Sequence, residues 1–216
     1  AGTLDALREM AVREKMVSPD QARRLAHAFH RAFLDQVRKG GRLNEIGLVT
    51  AYKMRTGKFV QDMDKGALMM LQGKIHPTAV VTGGERVKAR DQIERIFAEA
   101  ERTAAETHAP RRRPTKQEYT VRPPIKIDPG KPIGYYPGCS LGGTAVEFGI
   151  STRRMCERLG VELRELDDWN CCGASSAHAL NHRLAELLPA RNQALADAQG
   201  YDVVLTPCAA CYNRQV

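Results

Sequence analysis

No cysteine occurs in the first 138 residues of this 216-residue chain, although the whole chain carries six. Cys139, Cys156, Cys171, Cys172, Cys208 and Cys211 are crowded into the last 78 positions, so the thiols belong to a local device and not to a scaffold running through the protein. Long apolar runs are also missing. Nothing approaches the roughly 20 apolar residues that a spanning helix requires, and the mean hydropathy is −0.42, which argues against a membrane span in this chain. No secretory or transit signal stands at the N-terminus, so a thiol cluster reads as metal-binding or redox-active more readily than as a disulfide framework. Aromatics make up only 6% of the residues, with one tryptophan, Trp169.

What the chain does have is enough apolar content, 43%, to fill a core, and a formal charge of +8. That charge is uneven. Residues 1–130 hold 25 Lys and Arg against 16 Asp and Glu, a net +9, whereas residues 131–216 hold 8 against 9, a net −1. A basic surface without interleaved aromatics or a nucleotide-binding glycine motif points to docking against acidic partner surfaces rather than to nucleic-acid binding. On this reading deleting residues 1–76 would abolish assembly with those partners while the cysteine device keeps its metal. The chain opens on Ala1 and closes at Val216, five residues after Cys211, so further sequence is expected at its ends.

Periodicity divides the chain in three. Residues 1–108 read as a small helical region. Leu4, Leu7 and Ala11 recur at helical spacing, and Ser18-Pro19 offers a capping hydroxyl with proline at the first helical position. The helix that follows has Ala22, Leu25, Ala26, Phe29, Phe33 and Val37 on one face and stops at Gly40-Gly41. Further helices are expected around Asn44 to Met54, Asp62 to Leu71 and Gly84 to Thr107. Residues 109–132 form a linker: six of the eleven prolines lie between Pro110 and Pro132, and Arg111-Arg112-Arg113 beside them reads as solvated connector.

From residue 133 the pattern alternates. Strands are expected at Ile133–Tyr136, Val161–Leu166 and Val203–Leu205, with helices at Thr144–Leu159 and Ala177–Ala198. The order βαβαβ implies right-handed crossovers and a parallel sheet, giving an α+β or α/β chain whose ligand crevice lies beyond the carboxyl ends of the strands. Cys139, Cys171-Cys172 and Cys208 each follow one of those strands. The full pattern is C-x31-C-C-x35-C-x-x-C. Five thiols delivered to one crevice suit a metal, and Gly138 and Gly173 beside them permit tight turns. Cys156 lies mid-helix and reads as a packing or surface thiol.

The stretches Tyr136-Pro137-Gly138-Cys139, Asp168-Trp169-Asn170-Cys171-Cys172-Gly173 and Thr206-Pro207-Cys208-Ala209-Ala210-Cys211-Tyr212 resemble the cysteine-rich "CCG" domain of the B-type subunit of heterodisulfide reductase. More loosely, residues 1–76 are similar to the helical region following the ferredoxin module of the C-type subunit, especially at Gly41-Arg42-Leu43-Asn44-Glu45. Together these resemble the fused arrangement of the D-type subunit. The chain itself contains no C-x-x-C-x-x-C-x-x-x-C-P run and one CCG repeat. The resemblance implies a noncubane 4Fe-4S cluster on Cys139, Cys171, Cys172, Cys208 and Cys211, with further 4Fe-4S cubanes upstream or on a partner. It implies an oxidoreductase subunit, active within a complex, that cleaves or forms a disulfide-type sulfur bond. Cys139, Cys172 and His178 are the catalytic candidates. The expected partners are ferredoxin-like iron–sulfur subunits and flavin or membrane quinone subunits, in the cytoplasm or at the cytoplasmic face of a membrane complex.

Trp169 and the amides of Gly138 and Gly173 are the candidates for tuning such a cluster. His178 and His182, four apart, offer a proton-donating edge or a metal pair, with His182 expected to face solvent. A competing function is a zinc-binding interaction module using four of the thiols and sparing the fifth.

Overall fold

The computed structural model describes residues 19–58, 68, 71–72, 86–103, 125–128 and 130–216. The expected first helix around Leu4 to Ala11, nearly all of the one at Asp62 to Leu71, and the Arg111-Arg112-Arg113 segment lie outside the described residues.

Among the described residues three helices precede the sheet: α1 (Pro19–Gly40), α2 (Glu45–Thr56) and α3 (Arg90–Thr103). Helix α1 begins at the proline, carries Asp20 in its first turn and Arg38 and Lys39 in its last, and so complements the helix dipole at both ends. Of its expected apolar face, Phe33 and Val37 are buried and the earlier residues are half-buried. Asn44 caps α2 by accepting from Gly47 N–H at 3.0 Å. Helix α3 buries Ile93, Phe97 and Ala100, one per turn.

The second part is β1 (Ile133–Tyr135), α4 (Val146–Arg158), β2 (Leu163–Glu165), α5 (Ala174–Leu180), α6 (His182–Ala198), β3 (Val204–Leu205) and α7 (Ala209–Gln215). The sheet is parallel with order β2-β1-β3, and Tyr135 is paired with Glu165 on one side and Leu205 on the other. With β1 central, the two crossovers leave in opposite directions, which places their helices on opposite faces. Adjacent side chains of the central strand report this directly. Arg153 of α4 lies over the Tyr135 ring at 4.3 Å, whereas Tyr136 packs in a cluster with Leu166, Trp169 and Ala196 of α6.

The expected single helix Ala177–Ala198 is two helices. Asn181 between them is extended, at φ −156°, because its side chain serves both sides: Oδ1 accepts from Leu184 N–H at 3.1 Å to start α6, and Nδ2 donates to Ala100 O at 2.8 Å at the end of α3.

One core spans both parts of the chain. Ala32, Phe33, Val37, Ile93 and Phe97 pack in the same cluster as Cys171, Ala177, Leu184 and Leu188. Polar ties accompany it: His30 Nδ1 lies 3.1 Å from the buried Ser176 hydroxyl, and Arg191 Nε donates to Gln92 Oε1 at 2.9 Å. The helices and the cysteine-bearing sheet therefore stabilise one another.

Candidate functional site

The turn after β1 is built by Tyr136-Pro137-Gly138-Cys139. Tyr136 is fully buried, donates its hydroxyl to Asn170 O at 2.8 Å and meets the Trp169 ring edge-on at 5.2 Å, which locks the first cysteine loop to the second. Gly138 has φ +74°, and a Cβ there would sit 2.8 Å from Cys211 Sγ. The loop can approach that sulfur so closely only because residue 138 has no side chain.

Asp168 through Cys172 make the second loop. Asp168 adopts φ +57°, held by the backbone amides of Lys88 and Ala89 and by Arg191 Nη2 at 2.5 Å. The same guanidinium donates to Asp168 O at 2.8 Å and Asn170 Oδ1 at 3.1 Å. Asn170 and Asn192 exchange further bonds of 2.8 and 2.9 Å, so the backbone next to the paired cysteines is fixed from α6. Replacing Arg191 by Ala leaves the nearly buried Asp168 carboxylate without its cationic partner and the Asn170 amide oxygen without its donor, and is expected to cost about 3–5 kcal/mol. Arg191→Lys is expected to recover little of it, because one ammonium cannot reproduce the fork. Urea denaturation of the three proteins checks both statements.

Five sulfurs converge from these two loops and from the start of α7, which Cys208 precedes and which contains Cys211. Cys171, Cys172 and Cys211 are buried, Cys139 and Cys208 half-buried, and none forms a disulfide. Cys172 Sγ and Cys211 Sγ are 3.5 Å apart. Cys171 is within hydrogen-bonding reach of Cys139 and Cys172, and Cys208 within reach of Cys211. The thiols run as a series of neighbours, 139, 171, 172, 211, 208, rather than around a single point. Among the described residues no group of three or more His, Cys, Asp or Glu is arranged about one metal ion.

Crowding separates their acidities. Hydrogen bonds from Cys171 and Cys211, with the Ala174 amide adding to them, pull Cys172 down to about 3. Its neighbours move the other way: Cys171 is pushed up by its bonds to Cys139 and Cys172 and by burial, and Cys211 by its bond to Cys172 and by burial. Cys172, at the middle of the series, is thus the thiol whose ionised form is favoured. Cys156, on α4, is buried and belongs to neither hydrophobic cluster around these loops.

A wall of the site comes from the helical region, which charge and cysteine placement alone make remote from it. Gly41 O accepts from Cys171 N–H at 2.8 Å. Arg42 stacks its guanidinium 3.8 Å from the centre of the Trp169 ring and donates from Nε to Trp169 O at 3.0 Å. Leu43 N–H donates to Cys139 Sγ at 3.4 Å, and Glu45 Oε1 accepts from Thr144 at 3.0 Å. The sequence signal for this wall is the Gly41-Arg42-Leu43-Asn44-Glu45 stretch, in which helical periodicity marks Gly41 only as a stop.

Other expectations need revision. Trp169 Nε1 donates to Glu165 Oε1 at 2.9 Å, so the indole N–H is engaged away from the sulfurs. The amides that reach sulfur are those of Leu43 and Ala174, in place of the expected Gly138 and Gly173. His182 does not face solvent freely: it is half-buried, with Nδ1 buried and lacking a hydrogen-bond partner among the described residues. The exposed His178 meets it edge-on, ring centres 4.5 Å apart, in a cleft of about 330 Å³ between α5, α6 and α7.

Comparison with known proteins bears on the cysteine-rich part. Residues 133–214 match the family described as the cysteine-rich domain, CCG. The chain is homologous to oxidoreductase subunits. It is 38% identical over 81 residues to the 8-methylmenaquinol:fumarate reductase membrane anchor subunit of Wolinella succinogenes, covering 38% of this chain and 28% of that protein. It is 31% identical over 98 residues to the D-type subunit of the dihydromethanophenazine:CoB–CoM heterodisulfide reductase of Methanosarcina acetivorans, covering 43% and 24%. It is 30% identical over 84 residues to the B-type subunit of the fumarate reductase (CoM/CoB) of Methanothermobacter marburgensis, covering 39% and 17%. The matched stretch is thus less than a third of each of these relatives. No solved structure matches the chain significantly.

Proposed function

We propose that the chain is an iron–sulfur redox subunit of a heterodisulfide reductase-like electron-transfer complex, with a noncubane 4Fe-4S cluster on Cys139, Cys171, Cys172, Cys208 and Cys211. The observation that carries this reading is the unbroken series of five reduced thiols, gathered from the loops after three parallel strands within a CCG domain. A donor set of sulfur alone suits iron–sulfur groups or zinc rather than hard ions. Five donors in series exceed the four that one zinc takes.

When bound, the cluster would supply single-electron transfer to a disulfide-type substrate. The chain's residues do the rest. Cys172 is the thiol whose ionised form its neighbours favour, which suits it to bind metal. Tyr136, Leu166 and Trp169 close the inner side to water. Cys139 and Cys208, half-buried, face the open side, where a disulfide-type substrate would approach. Cleaving a disulfide to two thiols takes two electrons and two protons, and His178, exposed in the adjoining cleft, is the proposed proton donor.

Electrons come from elsewhere in this reading, because the chain offers ligands for one cluster. Ferredoxin-type cubanes, upstream or on a neighbouring subunit, are the proposed source, and a flavin or quinone subunit the proposed further partner. No described helix is long and apolar enough to cross a membrane. The proposed location is the cytoplasm or the cytoplasmic face of a membrane complex. Disulfide reduction should require the ferredoxin-bearing partner; full turnover by this chain alone with a physiological donor would contradict the relay.

The basic face of α1 and α2 supports docking of an acidic partner. Arg23, Arg24, His27, Arg31 and Arg55 line a groove of about 610 Å³ whose one described carboxylate, Asp35, is paired with Arg55. Complex formation is expected to weaken roughly tenfold or more between about 0.05 and 0.3 M salt, as exposed charges are screened. Salt-independent affinity in a titration would remove the electrostatic docking.

A further inference from the structure

Cys139 is the ligand candidate whose sulfur accepts a hydrogen bond from the helical region. The Leu43 N–H donates to Cys139 Sγ at 3.4 Å across 96 residues of sequence. Its orientation is set on every side. Gly41 N–H is bonded to Val37 O at 2.6 Å, Val87 N–H to Gly40 O at 2.9 Å and Cys171 N–H to Gly41 O at 2.8 Å. Gly41 has φ +75°, and a Cβ there would overlap the Val87 side chain, so no other residue fits without displacing the turn. Arg42 adds a clamp through its stacking on Trp169 and its bond to Trp169 O. Beyond the donor, Asn44 caps α2, and Glu45 is bonded to Thr144 in the loop that follows Cys139.

An N–H fixed toward a ligand sulfur stabilises negative charge on that sulfur, and reduction adds negative charge. Hydrogen bonds to ligand sulfurs are among the factors that set the potential of an iron–sulfur group, alongside burial and net charge. The amide is pre-oriented by its neighbours, so it need not reorganise when the charge changes. The Ala174 amide does the equivalent for Cys172, but from within the cysteine-rich part; the Leu43 amide does it from outside.

We propose that the Leu43 amide, held in place by Arg42 as a positioning residue, tunes the potential of the group bound at Cys139, so that the helical region sets the redox poise of a centre whose ligands all lie outside it. This inference rests on the iron–sulfur reading above. Its consequence is that the Gly41–Leu43 turn couples the position of α1 and α2 to the driving force for electron transfer.

The test uses the native-length protein, isolated anaerobically with its metal. The Leu43 amide is replaced by an ester through incorporation of the α-hydroxy analogue of leucine, which deletes the N–H and keeps the side chain. Iron content is measured, and the paramagnetic signal is titrated with dithionite and redox mediators. The expected result is unchanged iron with a midpoint potential shifted to more negative values. Arg42→Gln, which keeps the amide and loosens its clamp, should shift the midpoint in the same direction by less, and Arg42→Lys should fail to restore it. An unmoved midpoint in the ester protein with iron retained overturns the proposal. Should the ester protein lose iron, Arg42→Gln decides: an unmoved midpoint there overturns the proposal, and a negative shift supports it. Absence of iron from the unsubstituted protein defeats the iron–sulfur reading itself, a different result from iron present at an unmoved potential.

Discussion

Cys172→Ser is expected to strip the protein of most of its iron, from about four atoms per chain to well below one, while Cys156→Ser leaves iron content unchanged. Cys172 sits at the middle of the thiol series, 2% exposed, with Cys171 on one side and Cys211 Sγ at 3.5 Å on the other. It is the sulfur whose ionisation its neighbours favour. A serine hydroxyl at that position stays protonated and is a poor ligand for iron, so the loss propagates to both neighbours. Cys156 is equally buried but lies on α4, against the face of the sheet that carries Tyr135 rather than Tyr136. Its replacement changes packing alone, at a cost of about 1 kcal/mol. Iron analysis and paramagnetic resonance of the two variants read this directly, and equal iron loss in both would show that the ligand set is wrong.

Removing the helical region, residues 1–103, is expected to abolish folding of the cysteine-rich part. Charge alone makes residues 1–76 a docking surface whose deletion would abolish complex assembly while the cluster stays. The shared core leads to the opposite result. Leu184, Leu188, Ala177 and Cys171 are each under 4% exposed and would lose the cover of Phe33, Val37, Ile93 and Phe97. The two leucines alone forfeit about 1.5–3 kcal/mol each, against a total stability of about 5–15 kcal/mol for a domain. The bonds from Gly41 to Cys171, Ala100 to Asn181 and Gln92 to Arg191 go with them. Circular dichroism and solubility of the truncated chain check this. A cooperatively unfolding, iron-loaded fragment would mean that the shared core is dispensable.

Much of this is legible in the sequence because the relevant signals are local. Strand, helix and cysteine loop alternate with turn glycines between them, so the parallel sheet and the edge on which the thiols gather follow from topology. The helices α1, α2 and α3 are legible in the sequence as helical stretches. Contacts between distant segments are not. That Leu43 N–H meets Cys139, or that Asn181 interrupts a helix to reach Ala100, depends on how two amphipathic layers dock, and neither layer's pattern names its partner. The indole of Trp169 illustrates the same limit: it stands two residues before a cysteine pair, yet its N–H is satisfied by Glu165, four residues back on the strand.

The central claim, that five thiols hold one iron–sulfur group, is tested most directly by metal and acid-labile sulfide analysis of the anaerobically isolated protein. The account predicts a brown protein with about four irons and about four sulfides per chain, and broad visible absorption that bleaches on reduction. A colourless protein carrying about one zinc and no sulfide would contradict it and make the cysteine-rich part a zinc-held interaction module.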